Sequence, residues 1–113
     1  MTVAYLYRWR VAPGKEREFE DAWAEGTRLM HEKCGSYGAR LHRDADGVYW
    51  SYALWPDEEA RRRCVEESGV LSHESFRRMR AAVLDYLGET ALSPCVDLLA
   101  PPPGAGGSSA KTA

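Results

Sequence analysis

Residues 3–35 read VAYLYRWRVAPGKEREFEDAWAEGTRLMHEKCG, and the change of period at Pro13-Gly14 decides the fold. Before it, Val3, Tyr5, Tyr7, Trp9 and Val11 alternate with Ala4, Leu6, Arg8 and Arg10. Aromatic and β-branched residues at period two predict a strand, and both of its faces carry large or apolar groups. After it, Phe19, Ala22, Trp23, Gly26 and Met30 recur at helical spacing, and Cys34 extends the stripe. Acids fill the remaining surface and Gly35 supplies a stop, so a helix of about twenty residues is predicted.

Working outward, residues 36–43 and 48–55 predict two strands joined by Asp44-Ala45-Asp46-Gly47, whose Asp-Gly step favours a tight hairpin. Pro56 and the acids Asp57, Glu58 and Glu59 open a second helix, broken at Ser68-Gly69. Ser72 is expected to cap a third, with Phe76, Met79, Val83 and Leu87 on one stripe and Gly88 closing it. Residues 91–99 predict a last strand, placed at a sheet edge by Pro94. The resulting order β-α-β-β-α-α-β is that of an α+β ferredoxin-like sandwich with a four-stranded antiparallel sheet. Helices cover one sheet face. The other, with Leu6, needs a cover, and a second copy of the chain is the simplest one. The domain is expected over residues 1–99, with a disordered Pro/Gly/Ser-rich tail over 100–113.

Composition narrows the function. The net charge of −2 argues against a nucleic-acid phosphate binder. No apolar run approaches the ~18 residues of a membrane span, and arginines interrupt the N-terminal apolar stretch, unlike a signal peptide. The three cysteines, Cys34, Cys64 and Cys95, lack CxxC spacing, so neither a disulfide framework nor a zinc site is expected, and a reducing cytoplasm is the expected location. The chain contains no Asn, Gln or Ile, which removes every side-chain carboxamide from the possible catalytic groups.

The segments YRWRVAPGKEREFEDAW (7–23) and GSYGARLHRDADGVYWSYALWPDEEAR (35–61) resemble the antibiotic-biosynthesis-monooxygenase-type domain of the dimeric α+β barrel superfamily. The resemblance covers residues 3–99; its most specific pieces are the strand–Pro-Gly–helix opening and the Ala53-Leu54-Trp55-Pro56 step. It implies a homodimer through the sheet face and a ligand pocket between sheet and helices in each subunit. It also implies oxidation of an aromatic, polyketide- or quinol-like molecule by O₂ with no cofactor and no metal. Some members degrade haem; where those keep an Asn, a Trp and a His, this chain has Tyr7, Cys64 and Glu74, with His73 one residue away. Other members use an Asn that this chain lacks altogether.

Cofactor-free oxygenation needs a base or hydrogen bond, a positive partner for a substrate anion, and an aromatic wall. Tyr7, Arg40 and His42 are the catalytic candidates. Tyr7 or His42 would handle the proton, and Arg40, on the same strand face as His42, would hold the anion. Tyr5, Trp9, Trp23 and Tyr52 are the candidates for substrate binding. Plain core packing accounts equally for Tyr5 and Trp9, and a solvated strand face for Arg40 and His42. Tyr49 and Ser51 share one face of the third strand and Trp50 and Tyr52 the other, and which set meets the helices stays open. Trp55 is read as locking a strand–helix corner, and His31 as a cation at a helix C-terminus. Arg61-Arg62-Arg63 and Arg77-Arg78-Arg80 are read as solvated helix faces. A non-catalytic small-ligand binder is the alternative function.

Overall fold

A computed structural model describes residues 2–100 of the chain; the expected tail at 101–113 lies outside the described residues. Strand β1 (Val3–Val11) leads through Pro13-Gly14 into helix α1 (Glu16–Cys34), which ends at Gly35 in the left-handed conformation. Strands β2 (Ala39–Arg43) and β3 (Tyr49–Trp55) form the expected hairpin. Asp44 holds its turn, with Oδ1 accepting from the backbone N–H of Asp46 and of Val48, while Gly47 takes the positive φ. Helix α2 (Glu58–Glu67) starts under an Asp57 cap that accepts from the Ala60 N–H at 2.7 Å. A short turn at Val70–Ser72, helix α3 (Glu74–Ala82) and strand β4 (Val83–Leu92) complete the chain.

The sheet has four antiparallel strands in the order β2-β3-β1-β4, the ferredoxin-like arrangement, with the helices on one face. Tyr5, Tyr7 and Trp9 point at the helices and stack along β1, with centroids 6.2 and 5.8 Å apart. Their cross-strand partners on β3 are Ala53, Ser51 and Tyr49, so that set lines the helix side. Two clusters make the core. One gathers Tyr5, Trp55, Cys64, Val70 and Phe76, and the other gathers Trp9, Phe19, Tyr49 and Ala82. Gly26 lets α1 meet α3, because a Cβ there would stand 2.9 Å from Phe76 Cζ.

Three expectations are corrected. The third helix stops at Ala82 instead of Leu87, and the last strand occupies 83–92 instead of 91–99. Two bulges in the β1–β4 ladder are the reason, since they leave Leu84 and Leu87 without partners on β1. The residues of β4 paired with inward β1 positions are therefore Val83, Tyr86, Glu89 and Ala91, whereas Leu87, expected on a helical stripe with Val83, is the extra residue of a bulge. The cap of α3 is His73, whose Nδ1 accepts from the Ser75 N–H at 3.1 Å, one residue beyond the expected Ser72. Finally, Cys34 and Cys64 form a disulfide, with Cα atoms 5.6 Å apart, joining the end of α1 to α2. The helical stripes place the two cysteines together although no local sequence spacing announces it, and the ground for expecting a reducing compartment goes with it. Cys95 is free and exposed.

Candidate functional site

A cavity of about 450 Å³ lies between the inner sheet face and the helices. Its volume falls in the range of small-molecule sites. Trp9, Trp55, Phe76, Met30 and Met79 give it an aromatic and thioether wall. Two hydrogen-bonded polar groupings stand at its wall. Toward β2 and β3, Trp23 Nε1–H donates to Ser51 Oγ at 3.3 Å. Toward β4, Tyr7, Arg61, Glu89 and Tyr86 form a connected chain.

Arg61 is the hub of that chain. The stripe that turns Cys64 and Val65 inward also carries Arg61, three and four residues earlier, onto the inner face of α2. Its Nη2 donates to the Tyr7 hydroxyl at 3.1 Å and to Glu89 Oε2 at 3.0 Å, and its guanidinium carbon lies 4.0 Å from the Tyr5 ring centroid. Its Nε is buried with no hydrogen-bond partner among the described residues. Burial opposes the charge of Arg61, but the hydrogen bond to Tyr7 and the nearby Glu89 hold its pKa above the ordinary value. Burial pushes the Tyr7 phenol up, against the opposing pull of Arg61, so Tyr7 stays protonated at neutral pH. Tyr86 donates to Glu89 Oε1 at 2.9 Å, and burial together with that bond raises its pKa as well.

This chain can hold an oxygen-bearing ligand. The Tyr7 oxygen accepts from Arg61, and its own proton meets no acceptor among the described residues, leaving an O–H at the cavity wall. Such a donor beside a guanidinium is suited to a phenol, phenolate or ketone oxygen. Among the described residues no group of three or more His, Cys, Asp or Glu stands close enough to hold a metal ion, and no helix is long and apolar enough to cross a membrane.

Of the residues singled out from sequence, Tyr7, Trp9 and Trp23 line this cavity. Tyr5 sits behind it in the core, its hydroxyl donating to Glu58 Oε2 at 2.9 Å. Arg40, His42 and Tyr52 do not join them. Arg40 pairs with Tyr52 and His42 with Trp50, whereas Leu41 pairs with the inward Ser51. Period-two alternation therefore turns Arg40, His42 and Tyr52 to the opposite face, and the expectation that they share one site with Tyr7, Trp9 and Trp23 is corrected. His42 and Tyr52 instead edge an open depression with Leu6, Asp44 and Trp50, where Arg8 stacks on Trp50. The apolar Leu41 between two polar residues carried that signal.

Sequence reading missed Arg61, Glu89 and Tyr86. Arg61 was grouped with its neighbours as a solvated face, a description that fits Arg62, which is tied to Glu59, Glu66 and Glu67 at the surface. Its place three and four residues before Cys64 and Val65 singles it out only once the structure shows those two turned inward. Glu89 and Tyr86 were hidden by the misread end of α3.

The family described as "Antibiotic biosynthesis monooxygenase" matches residues 2–64. No curated protein matches the chain. Among solved structures, SnoaB, a cofactor-independent oxygenase from Streptomyces nogalater, is 24% identical with a TM-score of 0.72, over 86% of this chain and 96% of that one. A conserved protein from Methanosarcina mazei Go1 is 12% identical with a TM-score of 0.67, over 80% and 90%. Rv0793 from Mycobacterium tuberculosis is 15% identical with a TM-score of 0.64, over 88% and 100%. At these identities the structural likeness speaks for the fold. The family match spans more than half of the chain and covers β1, α1, β2 and β3, which supply Tyr7, Trp9, Trp23 and Ser51 to the cavity: the chain belongs to the antibiotic biosynthesis monooxygenase family.

Proposed function

We propose that this protein is a cofactor-independent monooxygenase that oxidises an aromatic, quinol- or polyketide-like molecule with O₂, working as a homodimer joined through the outer sheet face. The observation that carries the reading is the Tyr7 hydroxyl, hydrogen-bonded by Arg61 and keeping its own proton at the wall of an aromatic cavity. Membership of the family and the likeness to SnoaB support it.

In this scheme the substrate carries an acidic C–H next to aryl and carbonyl or phenol groups. Its proton leaves to water at the exposed Glu89 end, and Arg61 and Tyr7 stabilise the resulting oxyanion. The anion passes one electron to O₂, and the two radicals combine to a peroxide anion that takes up a proton. Loss of water then leaves a carbonyl. A methylene and O₂ thus become a ketone and H₂O, with no external reductant. Trp9 and Trp23 supply the wall, and Ser51 receives the far edge of the substrate.

Oxygen-electrode assays with a dihydroxyanthrone as probe test this. The expected result is O₂ consumption well above the uncatalysed rate, falling by about 10²-fold in Tyr7→Phe, the cost of losing one oxyanion donor. A rate equal to buffer alone would refute the enzymatic reading. One observation favours the second reading, a binder that sequesters such a molecule: Glu89, the one carboxylate among the lining residues, is engaged by Arg61 and Tyr86 on its two oxygens. Tight probe binding without O₂ uptake would establish that reading.

A further inference from the structure

The cavity presents a guanidinium, yet its charge is already answered. Arg61 Nη2 lies 3.0 Å from Glu89 Oε2, and Glu89 is the directly opposed cross-strand partner of Tyr7 on the inner face. Arg61 is largely enclosed, with 19% of its side chain exposed, so the pair is screened less than a surface ion pair. The other cation at the wall, Arg80, is turned to the Leu71 carbonyl at 3.3 Å and is exposed. A ligand that enters the Tyr7–Arg61 end therefore meets a neutral ion pair instead of a free positive charge.

We propose that Glu89 sets the charge selectivity of the cavity: it admits neutral phenols and turns away aromatic acids that are already ionised. The physical ground is direct. An arriving carboxylate would gain Arg61 but face Glu89 at similar range, so the two contributions largely cancel and nothing offsets the hydration it gives up on entering. A neutral phenol, protonated until roughly pH 10, brings no charge to repel and accepts the Tyr7 proton as a neutral hydrogen bond. This inference rests on reading the cavity as the ligand site, but not on any reaction occurring there.

Calorimetric titration at pH 7 with 2-naphthol and 2-naphthoate, two ligands of one ring system and different charge, tests it on the full chain. The wild type should bind 2-naphthol more tightly than 2-naphthoate. Glu89→Gln keeps the shape and can still accept from Arg61 or Tyr86, but it removes the negative charge. It should tighten 2-naphthoate about tenfold, the factor expected for unit charges ~6 Å apart in surroundings between water and protein, and move 2-naphthol less than twofold. If Glu89 only positioned Arg61, both ligands would weaken together in the variant, and the inference would be overturned. It would be overturned as well by an unchanged affinity for 2-naphthoate, or by a wild type that prefers the acid. Binding of neither ligand would sink the cavity reading itself, whereas binding with the expected selectivity but no O₂ uptake would remove only the enzymatic step.

Discussion

Reducing the Cys34–Cys64 bond is expected to lower stability substantially while leaving the packing in place, because the two thiols can occupy the same buried site. The bond closes a loop with a sequence separation of 30, and Cys64 is 2% exposed among Tyr5, Trp55, Val70 and Phe76. For a loop of that length the chain-entropy relation predicts that the cross-link destabilises the unfolded chain by about 3.6 kcal/mol at 25 °C. Using the average unfolding entropy for a domain of this size, the melting temperature should fall by roughly 15 °C on reduction. The assay is a thermal melt followed by circular dichroism with and without a dithiol reductant, with thiols counted by alkylation and mass spectrometry. Unreduced, denatured protein should take up one alkyl group, at Cys95, and reduced protein three, one for each cysteine of the chain. A shift below about 3 °C, with reduction verified, would contradict the entropic argument. Three labelled thiols without reductant would contradict the bond itself.

Other consequences follow from packing and charge. Gly26→Leu should lower stability by about 1–3 kcal/mol in urea denaturation, because its first side-chain carbon already meets Phe76 and the α1–α3 contact cannot widen without cost; an unchanged midpoint would show that the helices part freely. The Tyr49 phenol is pushed up to about 12 by burial and by its 2.6 Å bond to Glu20, so the folded state keeps a proton that the unfolded chain loses near pH 10. Stability should therefore be intact below about pH 10 and fall as pH rises from there toward about 12, read as a declining urea midpoint; a flat midpoint would refute the shift. The outer face exposes Tyr52 and Leu92, so light scattering should give a mass near twice the chain and Tyr52→Glu should shift it toward the monomer. A monomeric wild type would contradict the covered-face reasoning.

How much of this was legible in the sequence depends on how local each signal is. β1, α1 and the β2–β3 hairpin could be read because each carries its own period and its own stop: alternation to Val11, a stripe to Cys34, an Asp-Gly turn. Tyr7, Trp9 and Trp23 inherit that clarity and line the cavity. Arg40 and His42 were placed correctly relative to each other, but the face they share was not, because Leu41, whose apolar side chain marks the buried side of this five-residue strand, was not weighed against them. Arg61 is a different case. Polar residues dominate α2, and its inward stripe becomes visible only once the Cys34–Cys64 bond and the Val65 contact fix the helix rotation. The disulfide was invisible for the same reason: its halves lie on separate elements, and only packing joins them.

β4 shows why the most informative part of the site escaped. In a regular strand, residues three apart lie on opposite faces, so Tyr86 and Glu89 could not both face the cavity. The bulge at Leu87 changes that. Trp9 pairs with Tyr86, Arg8 with Gly88 and Tyr7 with Glu89, leaving Leu87 as the extra residue. Arg8, on the outer face, donates to the Leu87 carbonyl at 3.2 Å and so satisfies a group that the interrupted ladder leaves over. The extra residue brings Tyr86 and Glu89 to the same side, where the Tyr86 hydroxyl reaches Glu89 and Glu89 reaches Arg61. The two links to Arg61 span long stretches of chain, 54 residues from Tyr7 and 28 to Glu89. The irregularity that defeated the periodic reading is thus the device that assembles the charged end of the cavity, as bulges beside functional sites often do.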